Sequence, residues 1–124
     1  MTTRTHKEFL NELKSRFGSD PMRWAFKCPA CKDIATGADF LKAAKERGIG
    51  DPGTYASARL GQECIGRTLG ALSTDQGKEY RGRGCDWAAY GLFSGPDFVE
   101  IPNGDGTTRK VPTFEIATGE EVAK

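Results

Sequence analysis

Cys28 and Cys31 stand in the stretch Lys27-Cys28-Pro29-Ala30-Cys31-Lys32, while the remaining two cysteines, Cys64 and Cys85, arrive singly. A CPxC turn brings two thiolates to one point from a single tight bend. Pro29 limits the freedom of the loop, and the amides after Cys28 point back at its sulfur and favour the thiolate. The full spacing, C-x2-C-x32-C-x20-C, supplies the four sulfurs from which a closed tetrahedral zinc site is built. Two other readings of the same residues stay open. The CPxC pair can ligate together with non-cysteine side chains, or all four can be buried or free thiols with no metal. Iron–sulfur ligation has the required cysteine number but no familiar spacing, and two disulfides would require an exported protein.

A metal cross-link matters here because the chain is short and turn-rich. Its 124 residues amount to one domain, and 12 aromatics among 37% hydrophobic residues provide a modest core. Sixteen glycines and 6 prolines imply much irregular backbone, which lowers the packing return per residue. The sequence predicts a single domain over residues 1–116 and a frayed tail over 117–124. No apolar run approaches the roughly 18 residues of a membrane span, and the polar stretch Met1 to Lys14 does not resemble a secretory signal. The expected compartment is a reducing cytoplasm, where paired cysteines are metal ligands more often than disulfides.

The coarse reading of elements begins with a capping box, Thr5-His6-Lys7-Glu8, opening a helix with Phe9, Leu10, Leu13 and Phe17 at helical spacing and ending at Gly18. Trp24-Ala25-Phe26 reads as a strand entering the CPxC turn. Thr36 to Asp39 caps a second helix running to about Arg47, with Phe40, Leu41 and Ala44 inward. Gly48 to Thr54 is a loop, Tyr55 to Leu60 a short helix, and Ser73 to Gly84 a loop without periodicity. From Cys85 the pattern turns to β: strands over Cys85–Phe93, Phe98–Ile101 and Lys110–Ile116, the last two joined at Asn103-Gly104-Asp105-Gly106. The expected class is α+β, a zinc-ribbon-like knuckle with two N-terminal helices and a C-terminal three-stranded antiparallel meander.

Catalysis finds little support. His6 is the sole histidine and sits in the first helical turn, a solvated position. Cys64 beside Arg67 is the only reasonable nucleophile, and ligation uses the same sulfur. The carboxylates are scattered, and no Walker or Rossmann pattern occurs. A net charge of +1 is no electrostatic footprint for a polyanion, although residues 1–83 hold 15 Lys+Arg against 10 Asp+Glu. Lys78, Tyr80, Arg81 and Arg83 mix cations with an aromatic among glycines, a composition that can grip phosphate and stack on a base. Asp75 and Glu79 partly cancel that charge. Tyr90 is expected on the outer face of the first strand, where an aromatic with a polar tip suits a partner interface.

Three stretches taken together, Trp24-Ala25-Phe26-Lys27-Cys28-Pro29-Ala30-Cys31, Gly61-Gln62-Glu63-Cys64-Ile65-Gly66-Arg67 and Gly84 to Phe93 (GCDWAAYGLF), resemble a family of small uncharacterised proteins of bacteriophages and prophage regions. The resemblance spans about residues 5–116. It implies origin more than activity, with the four cysteines as the family's metal ligands. Lys32 departs from the glycine that usually follows such knuckles. The resulting expectation is a zinc-stabilised, phage-encoded binding module acting in the host cytoplasm. Its partner would be a host protein, met through Arg67, Lys78, Tyr80, Arg81, Arg83 and Tyr90; nucleic acid is the alternative partner, and a small enzyme using Cys64 a second alternative.

Overall fold

A computed structural model describes residues 2–70, 83–90 and 95–118. Thr5 closes a short strand, β1 (Thr3–Thr5), and caps helix α1 (His6–Phe17). Its hydroxyl accepts from the Glu8 amide at 3.1 Å, while the Glu8 carboxylate accepts from the Thr5 amide at 2.9 Å. This is the capping box read from the sequence. A single 3-10 turn at Pro21–Arg23 leads into β2 (Ala25–Lys27), the CPxC bend, and β3 (Ile34–Thr36). Helix α2 (Gly37–Glu46) opens on a second complete capping box, with Asp39 reaching back to the Thr36 amide. Helix α3 (Pro52–Arg59) starts earlier than the apolar pattern indicates. Asp51 caps it through the Thr54 amide, and Pro52 fills the first turn, where its missing N–H is harmless. Helix α4 (Gly66–Leu69) is a single turn.

The β elements form two three-stranded sheets. One has the order β1, β4 (Asp97–Pro102), β5 (Thr108–Thr113), with β1 parallel to β4 and the β4–β5 pair an antiparallel hairpin. The other has the order β3, β2, β6 (Glu115–Ile116), all antiparallel, with Phe26 opposite both Ala35 and Ile116. The result is a mixed α+β arrangement with four α-helices and two small sheets among the described residues. No helix among them is long and apolar enough to cross a membrane.

Three expectations are corrected. The stretch from Cys85 forms no strand over its described residues 85–90; it makes one isolated bridge, Glu63 to Ala88. The reason is local: the amides of Cys85 and Trp87 point at sulfur atoms, at 3.2 and 3.4 Å, and are lost to any strand ladder. Residues 91–94 of the expected strand lie outside the described residues. The three-stranded meander is thereby a two-stranded hairpin flanked by β1. The third expected strand, Lys110–Ile116, is divided, because Ile116 leaves the hairpin to pair with Phe26 in the other sheet. Ala117 is not frayed: it is fully buried, and its amide donates to the Ala25 carbonyl at 3.0 Å.

Two apolar clusters result. Phe40, Ala43, Ala56 and Ile65 join α2 and α3. Leu13, Phe26, Phe114 and Ile116 gather between α1 and the second sheet, and Cys28 and Cys64 are members of that cluster. Two of the four cysteines, Cys28 and Cys64, are therefore part of the core, and Cys85 packs against it.

Candidate metal centre

Three pieces of chain bring the cysteines together. The bend after β2 holds Cys28 and Cys31: the Lys32 amide donates to the Cys28 carbonyl and the Cys28 amide to the Asp33 carbonyl, both at 3.0 Å. Lys32 closes the bend in the left-handed region, with φ 67°, where a glycine would sit without steric cost. Its Nζ donates to the Pro29 carbonyl at 2.9 Å. The Cys64 amide donates to the Trp87 carbonyl at 3.0 Å, so the Cys64 and Cys85 segments run alongside each other.

Gly66 and Gly84 make that approach possible. A Cβ on Gly66 would lie 2.4 Å from both the amide nitrogen and the carbonyl oxygen of Cys85. One on Gly84, whose φ is +78°, would lie 2.9 Å from Cys64 Sγ. Arg83 then ties this arm to the first. Its Nε donates to Asp33 Oδ1 at 3.0 Å and its Nη2 to the Ile34 carbonyl at 2.7 Å, with Asp39 at 3.3 Å.

The four Sγ atoms lie within 4.8 Å of one another. Cys28 and Cys85 are 3.6 Å apart, as are Cys31 and Cys64. Four sulfurs at the usual zinc–sulfur length of about 2.3 Å define a tetrahedron with edges of about 3.8 Å, so the spacing fits one ion. All four cysteines are free thiols, neither scattered nor joined as cystines. The Cys85 thiol is pushed up to about 11, first by burial. The Cys64 thiol is pushed up by the neighbouring Cys28 thiol and then by burial. Both shifts disfavour a lone thiolate, and a cation among the sulfurs is what reverses them. Such a set could hold a metal ion, and zinc is consistent with it.

The family described as VVA0879-like matches residues 5–117, a span that includes all four cysteines. The chain belongs to that family. No curated protein and no solved structure matches it.

In this VVA0879-like chain the remaining residues singled out by the sequence have varied positions. His6 is exposed at the start of α1. Cys64 is only 2% exposed with a raised thiol, which opposes a role as a nucleophile. Lys78, Tyr80 and Arg81 lie outside the described residues. Arg83 is half-exposed and engaged with Asp33, Ile34 and Asp39 as above. Arg67 donates through Nη1 to the Asp86 carbonyl at 2.7 Å. Its Nε lies 3.6 Å from Glu63, close enough for an ion pair though not for a hydrogen bond.

Tyr90 is 52% exposed and sits in a turn, where the sequence placed it on a strand. Its hydroxyl donates to Glu63, a carboxylate that is itself buried and paired with Arg59 and Arg67. Burial and that hydrogen bond raise the Tyr90 hydroxyl above its ordinary value. Sequence reasoning missed Glu63 and Arg59. The i, i+4 spacing of Arg59, Glu63 and Arg67 was the available sign, obscured because Gly61 breaks the helical pattern.

Proposed function

We propose that this chain is a non-catalytic binding module, encoded by a bacteriophage or prophage, whose fold is pinned by one structural zinc on Cys28, Cys31, Cys64 and Cys85. The observation that carries the metal reading is the spacing of the four sulfurs, two pairs of which stand at 3.6 Å. Sulfurs packed this closely leave room for a single ion and not for a multi-iron cluster. Four thiolates also close the coordination sphere, leaving no position for water or substrate, so the metal would serve the fold and not a reaction.

The binding reading rests on Tyr90. A half-exposed aromatic whose hydroxyl is fixed by a buried ionic cluster needs little further ordering when a partner covers it. Arg67 and Arg59 border the same patch. The partner we infer is a host protein, in keeping with the phage-like sequence stretches.

Metal analysis of the purified, reduced protein tests the first part: one zinc per chain is expected, and a chain that folds without metal would overturn it. Pull-down from host lysate tests the second. A specific host protein retained by the native chain and lost with Tyr90→Ala is expected. Retention of DNA or RNA that weakens steeply with salt would replace the protein partner by nucleic acid.

A further inference from the structure

We propose that Cys31 is a modification site at which hydroperoxides attack the loaded protein, and that the product is a Cys31–Cys64 disulfide with loss of the metal. The proposal rests on the zinc reading above and adds a chemistry to it. The four ligands are unequally shielded. Cys28 and Cys64 are 1% and 2% exposed, Cys85 is half-buried, and Cys31 alone is exposed. A reagent arriving from water therefore meets Cys31 first. A metal-bound cysteine is held as the nucleophilic thiolate at neutral pH.

The second observation is the pairing of sulfurs. The short contacts run between the arms of the site, Cys31 to Cys64 and Cys28 to Cys85, each at 3.6 Å. Once Cys31 is oxidised, the buried Cys64 sulfur stands 3.6 Å away, in a set whose four sulfurs all lie within 4.8 Å of one another. A disulfide of about 2.05 Å needs those two atoms to close by roughly 1.5 Å.

The chemistry balances in two steps. The Cys31 thiolate attacks one peroxide oxygen, the O–O bond breaks, and hydroxide (or the alkoxide of an organic hydroperoxide) leaves, giving a sulfenic acid. The Cys64 thiolate then attacks the Cys31 sulfur, an S–S bond forms, and the S–O bond breaks with departure of hydroxide. Two thiolates supply two electrons to one peroxide. With Cys31 and Cys64 joined, only Cys28 and Cys85 would remain to hold a cation, too few to retain it. A thiol reductant with added zinc reverses the change.

The test uses the full chain, reduced and zinc-loaded, titrated with hydrogen peroxide. Released zinc is followed with a chromogenic chelator, and the products by peptide mass mapping with fragmentation to separate Cys31 from Cys28. One zinc released per disulfide is expected, with Cys31 joined to Cys64. A disulfide within the CPxC turn, or one between Cys28 and Cys85, would overturn the proposal. Because Cys31→Ser removes a ligand and can unfold the chain, a second measurement uses the native sequence: limiting N-ethylmaleimide on the loaded protein is expected to label Cys31 first. First labelling of any other cysteine would also overturn the proposal. A reduced chain that takes up no zinc would sink the zinc reading and this proposal together, whereas a loaded chain oxidised elsewhere would sink this proposal alone.

Discussion

Lys32 occupies a backbone position that suits glycine, and the strain is local to the CPxC bend. Its φ of 67° costs an L-residue on the order of 1 kcal/mol, offset in part by the exposed hydrogen bond from its Nζ to Pro29. Lys32→Gly is therefore expected to stabilise the protein by about 0.5 kcal/mol or more, read as a rise in the urea midpoint with an unchanged slope. A fall would mean that the Nζ contact outweighs the strain. Gly84 is the opposite case. Its φ of +78° and the 2.7 Å approach of a Cβ to the Gly66 nitrogen leave no room for a side chain. Gly84→Ala is expected to cost roughly 3 kcal/mol or more and to lower zinc retention on dialysis. Full retention with native stability would show that the two arms can part without loosening the sulfurs.

Among the elements, helix α3 depends on its cap. Asp51 accepts from both the amide and the hydroxyl of Thr54, at 3.2 and 2.9 Å, and Asp51→Ala is expected to cost about 1 kcal/mol in thermal or chemical denaturation. An unchanged midpoint would count against the cap. That helix also shows where the sequence was legible and where it was not. The capping boxes at Thr5 and Thr36 are local chemistry, complete within four residues, and both helices begin where those residues put them. The hairpin at Asn103–Gly106 was legible for the same reason, with the Asn103 amide donating to the Thr107 carbonyl at 2.9 Å. The stretch after Cys85 misled because its aromatic-rich composition favours a strand, while the amides of Cys85 and Trp87 are drawn to the sulfurs of Cys64 and of Cys85 itself. Strand β1 escaped notice because three polar residues, Thr3 to Thr5, pair only because β4 lies beside them. The cysteine set was readable as a list of sulfurs. Its closure depends on Gly66 and Gly84 touching across the site, a contact no local pattern announces.

For the molecule as a whole, the sulfurs are continuous with the apolar core, so metal and fold are expected to stand or fall together. Cys28 and Cys64 contact the cluster that holds Leu13, Phe26 and Phe114. Chelation, or Cys28→Ser, is expected to abolish most tertiary structure, seen as collapsed amide dispersion in an NMR spectrum; structural zinc supplies on the order of 10 kcal/mol in small modules. Retained dispersion after complete metal removal would refute the coupling. The same linkage fixes a pH dependence. Coordinated sulfurs are deprotonated in the loaded fold, whereas thiols of the unfolded chain titrate near about 8.5. Protons compete with the cation for those sulfurs, so the stability a bound zinc would supply is present at neutral to alkaline pH and lost as pH falls. Lowering the pH from about 7.5 to about 5 is expected to release zinc and lower the thermal midpoint together. A midpoint that rises on acidification would contradict the linkage.

The crossing of Gly66 against Gly84, fastened by Arg83 to Asp33, has a consequence for descent. Both flanks of the intervening stretch are held independently of how many residues lie between them. Among kindred sequences, the distances from Cys64 to its glycine and from the second glycine to Cys85 should stay fixed.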